Sequence, residues 1–329
     1  MDYNGHIARG IDEAAPVTHP EGAYFTVVGL PDTQKYSQDK PELFTRQTRW
    51  IREAKNDENI AVVLHEGDVV NGPAAGSRQF RNADEALREL DTANIPYVLA
   101  IGNHDYTELE SRNTEEFQTY FPAQRLDKQN GLISCFENAS FNAAVEFDPG
   151  SHQWIALSLE LFPREEVLEW ASEVLESHPD HRVALVTHGY LYIDGTRIQE
   201  GHKWTRQQYG LDGHNGDELW EHFVTSHPQI ELVLSGHALI NGSAYLQSPN
   251  CEGDAVHQML GNFQSHEDGG AGYLILLRVY PEGNVLTAET YSPVLEAFHP
   301  DPGLHFRVDD AFGGVGSRST GRFVRHRDS

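Results

Sequence analysis

Long apolar runs are missing from this chain of 329 residues. A helix that crosses a bilayer needs roughly 20 consecutive apolar residues. The apolar stretch Ala23–Leu30 is far shorter and reads as a core strand, so no membrane span is expected. Lysine is scarce as well: five residues against nineteen arginines, and the 24 basic residues face 50 acidic ones for a net charge of −26. Such a field repels polyanions, which argues against binding to a nucleic-acid duplex or an anionic membrane. Salt would screen the self-repulsion, since the Debye length falls to about 3 Å at 1 M; a chain suited to salt-rich surroundings is therefore expected. Cysteine is limited to Cys135 and Cys251. Two residues make no disulfide framework, and they read as small buried hydrophobes. The stretch Met1 to Thr18 carries three acidic residues and no apolar core of a secretion leader. A cytoplasmic location is the default expectation, with export behind a removed leader left open.

What is present argues for a folded protein. Hydrophobic residues make up 39%, and 15 Phe, 13 Tyr and 5 Trp are spread along the chain, unlike the composition of a disordered one. Short runs rich in β-branched residues predict strands at Ala23–Leu30, Ile60–His65, Tyr97–Ile101, Trp154–Leu159, Val183–Thr187, Glu231–Ser235, Tyr273–Tyr280 and Val285–Tyr291. Amphipathic spacing predicts helices at Pro41–Ala54, Asp84–Ala93, Thr114–Phe121, Arg164–His178 and Asp217–His227. In the fourth of these Val167, Leu168, Ala171 and Val174 share one face, as core packing requires. The first half alternates strand and helix, the pattern of parallel α/β units, and from about Ser243 the chain is strand-rich. Three segments are expected: an N-terminal extension 1–22, one domain 23–299, and an extension 300–329 that is loosely packed or wraps back onto the body.

Residues with metal-ligand chemistry follow the predicted strands in turn: Asp32-Thr33-Gln34, Gly67-Asp68-Val69-Val70-Asn71, Gly102-Asn103-His104-Asp105, Thr187-His188 and Gly236-His237. In an α/β sheet the carboxyl ends of strands open onto the ligand crevice, so the five clusters should converge. Glycine before Asp68, Asn103 and His237 implies backbone packed where a Cβ would not fit. Carboxylate, amide and imidazole together suit first-row divalent ions. Taken singly each cluster has a plain structural explanation, as turn, cap or core histidine. The ordered set does not.

That order resembles the calcineurin-like metallophosphoesterase superfamily, in the variant whose first motif reads Asp-Thr-Gln. Ser158-Leu159-Glu160, Pro163-Arg164, Thr187 to Tyr192 and Val256 to Leu260 extend the likeness over roughly residues 23–293. The resemblance implies two mixed β-sheets packed as a sandwich and flanked by helices, a four-layer αββα arrangement. It implies two divalent ions (Mn, Fe, Zn or Mg), with Asp32, Gln34 and Asp68 at the first and Asp68, Asn103, His188 and His237 at the second. It further implies phosphate mono- or diester hydrolysis, with His104 beside the leaving group and Asp105 orienting its ring. One departure matters. The family's usual second histidine of the last motif is replaced by Leu239, which cannot ligate, and Gln34 offers only an amide oxygen. A loosely held, oxygen-rich first site is expected, with Asn241 as a conceivable extra donor.

The stretch Tyr190 to Gly216 is basic and aromatic for so acidic a chain. Arg197 could pair with phosphate while Tyr190 and Tyr192 cover a small phosphorylated substrate; a plain surface loop is the alternative. His257 reads either as a residue behind the metal site or as a core histidine. Asn138-Ala-Ser140 and Asn241-Gly-Ser243 match the glycosylation sequon by chance. A non-catalytic scaffold that kept the fold while its first site decayed competes with the enzyme reading; the His104–Asp105 pair favours the enzyme. A metallopeptidase is disfavoured because no H-E-x-x-H helix occurs.

Overall fold

A computed structural model describes residues 7–9, 17–72, 77–129, 131–239, 242–301 and 304–313. Two mixed sheets face each other. One runs, in spatial order, Ala297–Phe298, Val285–Ser292, Leu274–Tyr280, Phe25–Leu30, Ile60–His65 and Tyr97–Leu99, with Phe306–Asp309 also paired to Val285–Ser292. The other runs Ile7–Arg9, Gly242–Pro249, Ala255–Asn262, Ile230–Ser235, Arg182–Thr187, Trp154–Leu159, Ala143–Phe147 and Leu132–Cys135. Phe25–Leu30, Ile60–His65 and Tyr97–Leu99 are parallel. So are Trp154–Leu159, Arg182–Thr187, Ile230–Ser235 and Ala255–Asn262.

Period-two patterning builds the layers. Along Arg182–Thr187, Ala184 and Val186 face the space between the sheets, while Val183 and Leu185 face the opposite side. There they meet Val167, Leu168, Ala171 and Val174 of the helix Glu165–Ser177, the face expected from their spacing, with Leu175 beside them. Trp154 and Phe25 meet edge-on between the sheets, ring centroids 5.5 Å apart. Helices Pro41–Ala54 and Ser77–Thr92 cover the other sheet with Phe44, Ile51, Phe80, Leu87 and Leu90, all buried. Pro41 begins its helix at the first position, where the missing N–H costs nothing. Helix, sheet, sheet, helix is the arrangement that the sequence motifs imply.

Several elements differ from expectation. The predicted helix Asp217–His227 is a short α-helix, Gly216–Leu219, followed by a π-turn, Trp220–Val224. Asn215 and Glu218 form its capping box. Part of the C-terminal extension wraps back: Leu304, Phe306, Val308 and Ala311 are buried, and Phe306–Asp309 pairs antiparallel with Val285–Ala288. Ile7–Arg9 likewise adds a parallel strand at Ala244–Leu246. Cys135 and Cys251 are free, but partly exposed and exposed rather than buried. Among the described residues, no helix is long and apolar enough to cross a membrane.

Candidate metal centre

Each ligand candidate stands just past a parallel strand. Asp32 follows Phe25–Leu30, Asp68 follows Ile60–His65, Asn103 follows Tyr97–Leu99, His188 follows Arg182–Thr187 and His237 follows Ile230–Ser235. Because these strands point the same way within each sheet, their ends meet. Ligand atoms of Asp32, Asp68 and His188 lie within 4.8 Å of one another, and all three residues are buried. The His188 and His237 rings are 4.8 Å apart. Gln34 Nε2 donates to Asp68 Oδ2 at 3.2 Å. The turn carrying Asn103 closes over Asp68, whose Oδ1 accepts the His104 amide at 3.0 Å.

Glycine allows this crowding. A Cβ on Gly102 would sit 2.1 Å from Asp68 Oδ1, and one on Gly236 would sit 2.1 Å from Asp32 Oδ1. No side chain other than hydrogen fits there. Asp68 and His237 themselves hold positive φ, +49° and +68°. Left-handed backbone costs a non-glycine residue about 1–2 kcal/mol, and such strain gathers at functional sites.

Hydrogen bonds set which nitrogen of each imidazole stays available. His188 Nδ1 lies 2.7 Å from the Glu66 carbonyl and must carry the proton. That leaves Nε2 toward Asp68 Oδ1, at 3.3 Å. His237 Nε2 meets the Trp204 carbonyl at 2.9 Å, leaving Nδ1. His104 Nδ1 meets the Asn71 carbonyl at 3.1 Å, leaving Nε2. The residue expected to orient His104 was Asp105. Instead its two oxygens accept the amides of Val70 at 2.9 Å and Gly102 at 2.8 Å. Asp105 fastens the two turns, and a backbone carbonyl orients the imidazole. A buried carboxylate beside main-chain N–H groups satisfies those donors first.

Charge is displaced throughout the cluster. Burial pushes the Asp32 carboxyl up to about 8, with His188 opposing and Asp68 adding to the rise. Burial also acts to raise Asp68, but the neighbouring His188 outweighs it and holds the carboxyl at about 2. The same pairing with Asp68 outweighs burial at His188 and raises it to about 9. Burial pushes His237 down to about 3. Glu66 is fully buried and raised well above the carboxylate range by burial and then by Asp32.

The donor set fits divalent cations. Asp32 Oδ1, Gln34 Oε1, Asn103 Oδ1 and His188 Nε2 are buried without a hydrogen bond among the described residues, His188 Nε2 having only its ion pair with Asp68 Oδ1. Buried polar atoms are normally satisfied, and these four orphans are the atoms a metal would take. Asp32 Oδ2, by contrast, is occupied by Asn262 Nδ2 at 2.9 Å and Gln264 Nε2 at 3.1 Å. Leu239 is 41% exposed and ligates nothing. Asn241 lies outside the described residues.

On the substrate side, Arg197 and Tyr190 are engaged within the protein. Arg197 Nε bonds Gln258 at 2.8 Å, its Nη2 bonds Ser248 at 2.7 Å, and its guanidinium lies 3.8 Å over the Trp220 ring. Tyr190 is buried with its hydroxyl on the same Gln258. Both clamp the 190–216 loop to the sheet, because a guanidinium is strongest where carbonyl, hydroxyl and π-face converge. Tyr192 stacks on His202 at 4.1 Å. The loop reaches the centre through the Trp204 carbonyl and through Tyr209, whose ring is 5.6 Å from His237. His257 is a core histidine: it bonds Tyr245 and the Ala311 carbonyl, both at 2.7 Å. Asn262 and Gln264 were not anticipated, nor were the main-chain roles of Asn71 and Trp204. Asn262 ends the strand Ala255–Asn262 and Gln264 follows it, the position along a strand that also marked the ligand candidates.

A sequence model of the calcineurin-like phosphoesterase family matches residues 25–241. YvnB of Bacillus subtilis strain 168, an uncharacterized protein, is 31% identical over 284 residues, 84% of this chain and 20% of that protein. The DNA double-strand break repair protein Mre11 of Halobacterium salinarum is 34% identical over 78 residues, 24% of this chain and 20% of that protein. The chain thus spans about a fifth of the length of the curated relatives it matches. A dimetal phosphatase from Danio rerio shares the fold, with TM-score 0.50 and 14% identity over 87% of this chain and 98% of that one.

Proposed function

The chain belongs to the calcineurin-like phosphoesterase family, and from that premise we propose that it hydrolyses phosphate mono- or diesters of small phosphorylated molecules. The observation that carries this reading is the set of orphaned ligand atoms around Asp68. Asp32, Gln34 and Asp68 would hold a first divalent cation. Asp68, Asn103, His188 and His237 would hold a second. Such a pair supplies Lewis-acid polarisation of the phosphoryl group and lowers the pKa of a water.

The chain's own residues do the rest. Asp68, ionised and accepting from Gln34 and from the His104 amide, would serve both cations. The Glu66 and Trp204 carbonyls fix the imidazole tautomers of His188 and His237. His104, held through Nδ1, presents Nε2 for proton transfer to a leaving oxygen, and Tyr209 walls the site beside His237. His104→Ala should lower kcat by about 10²–10⁴-fold, the usual contribution of a positioned acid, while metal content stays at the wild-type value. Asn103→Ala should lose metal and turnover together. The competing reading, a scaffold with a decayed first site, draws on Leu239. It prevails if the metal-supplemented wild type turns over neither p-nitrophenyl phosphate nor bis-p-nitrophenyl phosphate.

A further inference from the structure

The family's missing histidine leaves the first cation with Asp32, Gln34 and Asp68, and the structure shows what stands in its support. Gln264 spans the two residues particular to that site. Its Nε2 donates to Asp32 Oδ2 at 3.1 Å, and its Oε1 accepts from Gln34 Nε2 at 2.7 Å. Asn262, buried at the end of its strand, donates to the same Asp32 oxygen at 2.9 Å. It also receives the Gln264 amide on its own Oδ1 at 3.2 Å. The consequence is directional. With Oδ2 taken twice, Asp32 has only Oδ1 to offer. With Nε2 engaged by Gln264 and Asp68, Gln34 has only Oε1. Those two atoms are the buried orphans of the first site.

We infer that Gln264, braced by Asn262, is the positioning residue of the first cation site, doing by hydrogen bonds what Leu239 cannot do by ligation. Partners behind the ligands tune a metal site by 10–100-fold in affinity, and an amide can set ligand direction without adding charge or nitrogen. The first site is thereby all oxygen, which favours Mn²⁺ or Mg²⁺ over Zn²⁺, beside a second site with two imidazoles. This inference rests on the two-cation reading above.

The test is Mn²⁺ titration of the full chain, followed by calorimetry and electron paramagnetic resonance. Wild type should bind two Mn²⁺ in a tight and a weaker step and show a spin-coupled signal at two equivalents. Gln264→Leu should weaken the weaker step by about tenfold or more, leave the tight step unchanged, and show the uncoupled six-line signal of one Mn²⁺. Gln264→Met, which keeps the length and loses both hydrogen bonds, should behave alike and covers a folding failure of the first variant. Unchanged affinities and an intact coupled signal in both variants would overturn the role of Gln264 and leave the two-cation reading standing. A wild type that binds no Mn²⁺, Zn²⁺ or Fe²⁺ overturns that reading itself.

Discussion

On the two-cation reading, Asp32 and His188 would each have to give up a proton to bind a metal. Burial keeps the Asp32 carboxyl neutral up to about 8, and Asp68 keeps His188 cationic up to about 9, whereas Asp68 is ionised from about 2. A cation competes with a proton at each of the first two. Affinity should therefore rise with pH, by about tenfold per unit for each proton displaced, between pH 6 and 8. Mn²⁺ titration at pH 6, 7 and 8 with a pH indicator should show protons released on binding. Affinity that stays flat over this range would contradict the protonation states. At this scale the motif residues were legible, because aspartate, asparagine and histidine after a strand carry visible chemistry. The roles of Asn71 and Trp204 were not, because they act through main-chain carbonyls that every residue possesses. Asp105 was legible as a buried partner but not in its task, which only the nearby Val70 and Gly102 amides reveal.

The elements were predicted best where burial has a clean period. Ile60–His65 and Trp154–Leu159 match their expected limits, since strands buried on both faces read as continuous apolar runs. The helix expected at Asp217–His227 failed because helical spacing does not distinguish an α-turn from a π-turn. The 190–216 loop stayed open between a substrate loop and a plain surface loop for a related reason: a basic, aromatic composition says nothing about where each side chain ends. Arg197 joins that loop to the strands carrying Ser248 and Gln258. Arg197→Ala should thus lower unfolding stability by about 1–3 kcal/mol while KM stays within about twofold. Denaturant unfolding beside steady-state kinetics separates these effects; a large rise in KM at unchanged stability would restore Arg197 to the substrate.

For the whole molecule the net charge of −26 on 329 residues sets the dominant long-range term. Like charges destabilise the compact state, and salt relieves them. The melting temperature should climb as KCl is raised from about 0.1 M toward 3 M, over which the Debye length falls from about 10 Å to below 3 Å. A chain fully folded at 0.1 M that loses structure at 3 M would rule out a fold suited to salt.

The order of residues along the chain set Asp32, Asp68, Asn103, His188 and His237 after successive strands, and the resemblance those motifs carry implied the paired sheets. Local propensity makes the strands, and parallel connection forces their ends together. Tertiary structure decided how those ligands are aimed. Gln264 lies 230 residues from Gln34 in sequence and one hydrogen bond away in space. Asp32 offers one oxygen instead of two because Asn262 arrives from the facing sheet. Direction in a metal site is a property of contacts between distant segments, and no pattern along the chain encodes it.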